Sequence, residues 1–319
     1  MTSVRVAAVQ ATPVILDAEA TIDKAIGLIG DAASEGAQLV VLPECFVSVY
    51  PSGAWGAAAA RFGGFDELWR RMWDSSVDVR GPLVDKLVAA CAANRVHVVI
   101  GINEREDERP GSLHNSMLIL GPSGLLHRHR KLMPTMHERL FHAIGSGDDL
   151  DVIAIDGVGR VGGLICWENR MPLARWRVYE QGPQIWVAPT ADDSDSWLAS
   201  MRHIGIEAGA YVVSVPQLIP RTAFPADFPA EIPDGIESLG RGGAAVIDPL
   251  GNVIAGPLYD EAGIVVADCD LDRILSAKRW FDAAGHYSRR DVLLPGERQT
   301  SRSADRGGGL PLDLIVDEP

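Results

Sequence analysis

Short hydrophobic runs alternate along the chain with segments of helical periodicity. Nearly continuous hydrophobic runs predict buried β-strands, because a strand buried on both faces has few polar positions. The predicted strands are VRVAAVQ (4–10), QLVVLPE (38–44), VHVVIGI (96–102), IWVAP (185–189), YVVSV (211–215) and GIVVADCDL (263–271). Other segments repeat hydrophobic positions at the spacing of an α-helix. The predicted helices cover 18–34, 82–94, 171–181 and 196–209, with a short helix after residue 271.

Three further segments predict pairs of strands joined by a turn. Gly-Pro-Ser-Gly marks the turn in 116–131, Asp-Gly-Val-Gly marks it in 151–166, and 244–256 forms another hairpin. Parallel β–α units combined with hairpins indicate an α/β protein with mixed sheets. Since no repeat or linker divides the chain, we expect one domain over 1–298. The Gly- and charge-rich residues 299–319 predict a flexible C-terminal tail.

Composition narrows the class of protein. Hydrophobic residues make up 47% and charged residues 23% of the 319 residues, as in packed soluble proteins. The formal net charge of −14 argues against a nucleic-acid or acidic-membrane partner. The four cysteines have neither disulfide-framework nor zinc spacing, which favours reduced thiols in a cytoplasm. With no signal peptide and no hydrophobic run of membrane-spanning length, we expect a soluble, cytoplasmic protein.

Cys166 is the strongest local candidate for chemistry. It lies where a Gly-rich strand meets a helical pattern, in the segment GRVGGLICWENRMPLARW (159–176). A helix N-terminus stabilises negative charge, so we expect the thiol pKa to fall from about 8.5 towards neutrality and the thiolate to act as a nucleophile. A buried structural cysteine is the alternative, and the local sequence does not separate the two. For Cys91 and Cys269, which lie inside regular elements, the structural role is favoured.

Two charged residues are candidate partners of a cysteine nucleophile, since none of the eight histidines stands out. Glu44 ends a predicted buried strand, where α/β proteins gather their sites. Burial there would raise the pKa of the carboxyl group and let it act as a general base near neutral pH. On spacing alone, however, a capping role for Glu44 is slightly favoured. The second is Lys131. Without further evidence, it is interpreted as one more member of the solvated basic run 127–130.

Three segments taken together resemble the signatures of the nitrilase superfamily of carbon–nitrogen hydrolases. LPECF (42–46), HRHRKLMPT (127–135) and GLICWENRMPLAR (163–175) are similar to its glutamate, lysine and cysteine motifs, in that family's chain order. The resemblance covers almost the whole chain, and three dispersed motifs are far more specific than one. Trp167-Glu168-Asn169, after the cysteine, resembles the nitrilase branch. The amidase and carbamoylase branches more often have a Tyr or an Arg-type residue there.

The resemblance implies a fold, a site and an assembly. The fold is a four-layer α-β-β-α sandwich with mixed sheets, and the site is a catalytic triad of Glu44, Lys131 and Cys166. Glu138, in MHERL, would help to position the substrate and the lysine, and Trp167 would also position the substrate. An exposed carboxylate is the alternative for Glu138. No cofactor and no metal is implied, and the expected partners are a small-molecule nitrile and further copies of the chain, as a homodimer or a larger spiral.

Two segments near the expected pocket depart from the family pattern. Where the family usually has Trp-Gly after its second glutamate, this chain has Phe141-His142-Ala143-Ile144. After the first glutamate, where an Ala and a Pro-Gly pair are common, it has Cys45 and Ser48-Val49. We discount Cys45 as a nucleophile, because neighbouring residues in a strand point to opposite faces. These departures leave the substrate range open.

The function hypothesis is a nitrilase, which converts a nitrile and two waters to a carboxylic acid and ammonia through a cysteine thioimidate and thioester. A soft thiolate suits the weakly electrophilic nitrile carbon, Lys131 would neutralise charge on the nitrogen, and Glu44 would transfer protons. The charges of a thiolate, a carboxylate and an ammonium group sum to −1, which predicts one further proton shared among the three groups. Such a trio titrates as a unit. The alternative is an amidase, carbamoylase or cyanide-hydrolysing member of the superfamily. A binding protein with a relic triad is disfavoured.

Overall fold

The computed structural model describes residues 3–106 and 110–293, and the predicted tail at 299–319 lies outside them. The strands are β1 (Ser3–Gln10), β2 (Leu39–Val41), β3 (His97–Arg105), β4 (Leu113–Gly121), β5 (Gly124–Arg130), β6 (Ile153–Ile155), β7 (Gly159–Gly163), β8 (Ile185–Thr190), β9 (Tyr211–Pro216), β10 (Leu218–Pro220), β11 (Ser238–Ile247), β12 (Val253–Tyr259) and β13 (Gly263–Asp270). The α-helices are α1 (Ala18–Ser34), α2 (Gly53–Phe62), α3 (Phe65–Asp74), α4 (Pro82–Asn94), α5 (Pro172–Tyr179), α6 (Asp195–Ala208), α7 (Asp272–Trp280) and α8 (Arg290–Leu293). Within the described ranges, no helix combines the length and hydrophobicity needed to cross a membrane.

The strands form two mixed sheets. The first has the order β13-β1-β2-β3-β4-β5, with β1, β2 and β3 parallel and the outer pairs antiparallel. The second has the order β10-β11-β9-β8-β7-β6, with β12 also paired to β11 and with β7, β8 and β9 parallel. The predicted α/β class with mixed sheets is therefore confirmed.

The two sheets pack face to face between two outer layers of helices. Along β1, Val6 and Ala8 lie in the hydrophobic cluster between the sheets, whereas Ala7 and Val9 lie in the cluster under α1 and α4. The outer face of the second sheet packs in the same way on α5 and α6. Burial of both sheet faces explains why the strands are nearly continuous hydrophobic runs. The layers are thus α-β-β-α, as predicted.

The second predicted strand is shorter than expected. It covers Leu39–Val41 instead of 38–44, so Glu44 lies in a turn beyond the strand. Cys45, with φ of 44°, lies in this turn, after which Val47 pairs with Ile102 of β3. A Cβ atom on Gly101 of β3 would collide with the backbone of Glu44 and its neighbours, so glycine lets this turn pack directly on β3.

Helices α2 and α3 were not predicted by the hydrophobic pattern. Helix α2 has the sequence GAWGAAAARF, in which alanines replace the large hydrophobic residues that mark a helical face. Trp55 of α2 and Leu68 and Met72 of α3 instead form a small cluster with Phe141, which also includes Leu113 of β4 and Ile219 of β10. This cluster supports one wall of the cavity described below.

Candidate active site

Each of the three predicted catalytic residues follows the end of a strand. Glu44 lies after β2, Lys131 after β5 and Cys166 after β7. The Nζ atom of Lys131 is 2.7 Å from Oε1 of Glu44. Cys166 is close enough to both residues for their charges to act on the pKa of its thiol. The structure therefore brings together three side chains that are far apart in the sequence.

Lys131 is buried between two carboxylates. Its ammonium group donates to Oε1 of Glu44 and to Oε2 of Glu138, both at 2.7 Å. Burial by itself lowers the pKa of Lys131, but the charges of Glu44 and then Glu138 outweigh burial and raise the pKa well above its ordinary value. Lys131 is therefore a permanent cation rather than a member of a solvated basic run.

Glu138 is fully buried, so the exposed-carboxylate alternative is wrong. It lies on a short 3₁₀ helix, Met136–Leu140, and its Oε2 also accepts the backbone N–H of Thr135 at 2.8 Å. Burial raises its pKa, but Lys131 and His142 together outweigh burial and bring the pKa well below its usual range. Glu138 is therefore an ionised, strongly hydrogen-bonded carboxylate.

Glu44 has fewer hydrogen bonds than Glu138. Its Oε1 accepts from Lys131 and from Nδ2 of Asn115, each at 2.7 Å, so it binds side chains and does not cap a turn. Its Oε2 has no hydrogen-bond partner in the described part of the chain. Burial raises the pKa of Glu44, and the opposing effect of Lys131 does not cancel that rise. This is the direction expected for a desolvated general base.

Cys166 begins the 3₁₀ helix Cys166–Arg170 with φ of 51°. The amide of Asn169 holds this turn by donating to the carbonyl groups of Leu164 and Cys166, at 2.7 and 2.9 Å. The hydroxyl of Thr190, at the end of β8, donates to Sγ at 3.1 Å. The sulfur is therefore held in place from two sides.

The expectation of a low thiol pKa at Cys166 is wrong. Burial raises the pKa to about 12, the charge of Glu44 adds to the rise, and Lys131 only partly opposes it. A five-residue 3₁₀ helix has a small dipole, which does not compensate for removing a thiolate from water beside a carboxylate. At rest, Cys166 is a neutral thiol.

A second buried cluster joins the two chain segments that carry the lysine and the cysteine. Glu168 accepts the backbone N–H of Leu132 at 2.5 Å and that of Ile165 at 2.8 Å. The ring of His129 lies between Glu168 and Asp149, at 3.0 and 2.9 Å. Burial lowers the pKa of His129, but these two carboxylates outweigh burial and raise the pKa to about 10. One carboxylate thus fixes the residue after the lysine relative to the residue before the cysteine.

A cavity of about 270 Å³ opens onto the thiol of Cys166. Residues from four chain segments line it, among them Tyr50, Pro51, Met136, Cys166, Trp167 and Asp192. Trp167 is 40% exposed, and its indole N–H donates to Asp192 at 2.8 Å. Cys45 follows Glu44 in a turn rather than in a strand, so the strand-face reason for discounting it is wrong. Within the described residues, Cys166 and not Cys45 lines this cavity.

Sequence analysis missed three residues of this site. Tyr50 lies in a segment left unassigned, and its hydroxyl is 3.3 Å from Glu138. Asn115 is a polar residue inside the buried strand β4, and this exception to the hydrophobic run was the available signal. Thr190 is the last residue of β8 and follows directly on the predicted strand IWVAP, where side chains reach the end of the sheet.

Comparison with known proteins gives the family. The carbon–nitrogen hydrolase family model matches residues 5–279. Nitrilase blr3397 of Bradyrhizobium diazoefficiens is 44% identical over 274 residues, which cover 85% of this chain and 84% of that protein. An aliphatic nitrilase of Sinorhizobium fredii is 42% identical over 296 residues, covering 92% and 95% of the two chains. The crystal structure of Saccharomyces cerevisiae Nit3, a member of branch 10 of the nitrilase superfamily, has the same fold, with a TM-score of 0.71 at 21% identity over 91% of this chain and 97% of that one. The chain belongs to the carbon–nitrogen hydrolase family, within the nitrilase superfamily.

Proposed function

We propose that this protein is a nitrilase that hydrolyses an organic nitrile to the carboxylic acid and ammonia. In this proposal Cys166 is the nucleophile, Glu44 the general base and Lys131 the cation that stabilises charge on nitrogen. The observation that carries the proposal is the buried contact of Lys131 with Glu44, beside a thiol that faces a cavity. The nitrilase names of relatives at 42–44% identity support the substrate class.

The first step forms a covalent thioimidate. Because the thiol of Cys166 is neutral at rest, its proton must move as the sulfur attacks, and Glu44 with its raised pKa and unpaired Oε2 accepts that proton. The sulfur bonds to the nitrile carbon, and one electron pair of the carbon–nitrogen triple bond moves to nitrogen. The proton on Glu44 is then passed to nitrogen, while Lys131 stabilises the developing negative charge.

Two waters complete the reaction. Glu44 deprotonates the first water, which adds to the thioimidate carbon to give a tetrahedral intermediate. Protonation of its nitrogen lets the carbon–nitrogen bond break, so ammonia leaves and a thioester remains. The second water hydrolyses the thioester and returns the thiol of Cys166. The sum is one nitrile and two waters to one carboxylic acid and one ammonia, with no change in oxidation state of the enzyme.

Two further residues have supporting roles in the proposal. Glu138 holds the ammonium group of Lys131 at 2.7 Å and so fixes the direction in which it faces the substrate. Trp167, next to the nucleophile, forms part of the cavity wall and is oriented by its bond to Asp192. We expect its indole face to contact the organic group of the nitrile.

The assembly and cellular location are also part of the proposal. Three large hydrophobic side chains on outer helices are strongly exposed, namely Leu173 on α5 and Leu275 and Trp280 on α7. These side chains are where we expect copies of the chain to meet in a homodimer or a larger spiral. The four free cysteines support a location in the cytoplasm. Light scattering after size-exclusion chromatography should give a multiple of the 34.2 kDa chain mass, and a monomer at micromolar concentration would contradict the assembly.

The activity is tested by ammonia release from a panel of nitriles and their matching amides. We expect nitriles to give acid and ammonia, and Cys166→Ala to reduce the rate to background. Cys91→Ala, which removes a buried thiol on α4 remote from the cavity, is the matched control and should keep the activity. Ammonia release by Cys166→Ala would refute the proposal, and faster turnover of amides than of matching nitriles would favour the amidase alternative.

A further inference from the structure

His142 is a buried histidine that the reaction scheme leaves unused. Its side chain is fully buried and has two polar partners. Nδ1 lies 3.2 Å from Oε1 of Glu138, and Nε2 lies 2.7 Å from Oδ1 of Asn103. The ring therefore links the carboxylate that holds Lys131 to an amide on β3. It also stands in the segment where this sequence departs from the pattern of its family.

The orientation of Asn103 fixes the proton on one ring nitrogen. Nδ2 of Asn103 donates to the carbonyl oxygen of Val49 at 2.9 Å. A carbonyl oxygen can only accept, so the amide nitrogen must face Val49 and the amide oxygen must face His142. An amide oxygen is also only an acceptor. Nε2 of His142 therefore carries a proton.

The other ring nitrogen faces a carboxylate. If Nδ1 had no proton, two acceptors would oppose each other in a buried site, which is costly. Glu138 already accepts from Lys131, from Asn115 and from the N–H of Thr135, and these donors favour its ionised form. The proton between the two groups therefore belongs to His142, which then has both ring nitrogens protonated.

Charge counting leads to the same protonation state. Glu44 and Glu138 contribute two negative charges and Lys131 contributes one positive charge, which leaves −1 among fully buried groups. An uncompensated buried charge is strongly unfavourable. A positive charge on His142 brings the sum to zero without a proton on either carboxylate.

We propose that His142 is a positioning residue, held as an imidazolium between Glu138 and Asn103. Its charge keeps Glu138 ionised and fixed on Lys131. Glu44 is then the carboxylate of the pair that exchanges a proton with the thiol, because environments that separate two carboxyl groups assign their roles. The inference rests on the proposed function for its kinetic consequence but not for the protonation state.

The other groups around the ring do not supply this charge. Strand β3 presents the neutral amide of Asn103, and the preceding 3₁₀ helix presents Glu138. Strand β4 presents His114, whose pKa is lowered by burial first and by the charge of Arg130 next, so that it is neutral. Nδ1 of His114 has no hydrogen-bond partner in the described ranges. His114 is thus an internal contrast to His142 in the same protein.

The protonation state is tested by nitrogen-15 NMR of the full chain labelled at histidine. At neutral to slightly alkaline pH, we expect both ring nitrogens of His142 to carry protons. His114 should show one protonated nitrogen under the same conditions. The spectrum of His142→Gln assigns the signal by its loss. A neutral ring at His142 would overturn the proposal, whatever reaction the protein catalyses.

The positioning role is tested by kinetics of His142→Gln, whose amide can still donate to Glu138 but has no charge. We expect kcat to fall about 10- to 100-fold with KM within about twofold, as for a misplaced catalytic group. The acid limb of the kcat/KM profile should move to higher pH, because loss of a nearby cation raises the pKa of Glu44. His203→Gln, on the exposed face of α6, is the control and should change neither quantity.

The outcomes separate this inference from the proposed function. A lower kcat with an unmoved acid limb would mean that His142 is only structural, and would overturn the positioning role. Wild-type protein without Cys166-dependent nitrile hydrolysis would refute the proposed function, while the NMR result would still decide the charge on His142. If His142→Gln does not fold, the NMR spectrum of the wild-type protein remains a complete test of the imidazolium.

Discussion

Lys131 and His129 lie two residues apart, and each is a buried cation between two carboxylates. Around His129, all four carboxylate oxygens have a donor. Each oxygen of Glu168 accepts a backbone N–H group and also lies within hydrogen-bond distance of the His129 ring. One oxygen of Asp149 binds the ring, and the other accepts the backbone N–H of Arg130. A fully satisfied polar network of this kind rigidifies the structure around it.

Among carboxylate oxygens, the cluster of Lys131 differs by a single atom, and Oδ1 of Asn115 beside it also has no partner among the described residues. Oε2 of Glu44 is buried and has no partner among the described residues, whereas both oxygens of Glu138 have donors. A buried acceptor without a donor is costly, so its presence calls for a functional explanation. The same arrangement of charges therefore stabilises the fold where every carboxylate oxygen has a donor. We expect it to be available for proton transfer where one carboxylate oxygen has none.

The contrast between the two clusters is tested most strongly by Glu44→Gln, which keeps the shape of the side chain and removes the acceptor of the thiol proton. We expect kcat/KM for nitrile hydrolysis to fall by about 10³-fold, within the range for removal of a general base. The free energy of unfolding should change little, since Lys131 keeps Glu138 as its partner. Ammonia release and urea denaturation measure the two effects. Activity within about tenfold of the wild type would show that the unpaired oxygen is not the proton acceptor.

The reciprocal substitution is Glu168→Gln, in the cluster around His129, where every carboxylate oxygen has a donor. Here we expect a loss of about 3 kcal/mol in the free energy of unfolding, because the amide nitrogen of glutamine cannot accept and one of the two buried N–H groups of Leu132 and Ile165 loses its acceptor. His129 also keeps only Asp149 as a carboxylate partner. Activity should fall less than in Glu44→Gln. Urea denaturation with ammonia release on the folded fraction checks both. Unchanged stability would contradict the structural role of this cluster.

The pH dependence of stability tests whether the His129 cluster is held by ionic contacts. The folded-state pKa of His129, about 10, lies above its ordinary value of about 6.5. Its ionic contacts therefore stabilise the protein fully below about pH 6.5, and this contribution is lost as the pH rises towards about 10. The difference in unfolding free energy between wild type and His129→Gln should shrink over that range. A difference that stays constant with pH would mean that His129 is not charged in the folded protein.

The smallest effect is expected at the rim of the cavity, outside both clusters. Trp167→Phe keeps an aromatic ring but removes the N–H that binds Asp192. We expect the free energy of unfolding to change by less than about 0.5 kcal/mol, as for exposed positions. KM for nitriles should change by about two- to tenfold, with kcat nearly unchanged, because a contact with the organic group is lost or shifted. A large loss of kcat would assign Trp167 to the chemical step.

The layers of the fold could be predicted because each sheet is buried on both faces. Strand β1 is a hydrophobic run interrupted inside only by Arg5, and α1 shows its buried face as Ile22, Ala25 and Ile29 at helical spacing. Helix α2 gives no such signal, since its interior is largely alanine. The early end of β2 depends on contact of its turn with Gly101, which is distant in the sequence.

The site residues could be named by their motifs, but their electrostatics could not be predicted. The local pattern at Cys166 indicates a helix N-terminus. It does not show that the thiol is buried next to the carboxylate of Glu44, and both of these raise the thiol pKa. Asn115 and Thr190 contact the site only because β4 and β8 bring them there. Properties that arise from neighbours far apart in the chain become visible only when the sheets are assembled.

The link made by Glu168 has a practical consequence for directed evolution. Because one carboxylate ties the residue after Lys131 to the residue before Cys166, the ammonium group and the sulfur cannot be moved independently by local mutation. Part of the cavity wall, in contrast, comes from Pro51, Gly53, Met136 and His137, which are outside that link. Mutant libraries confined to these four residues should explore new nitriles while the proposed catalytic groups keep their spacing.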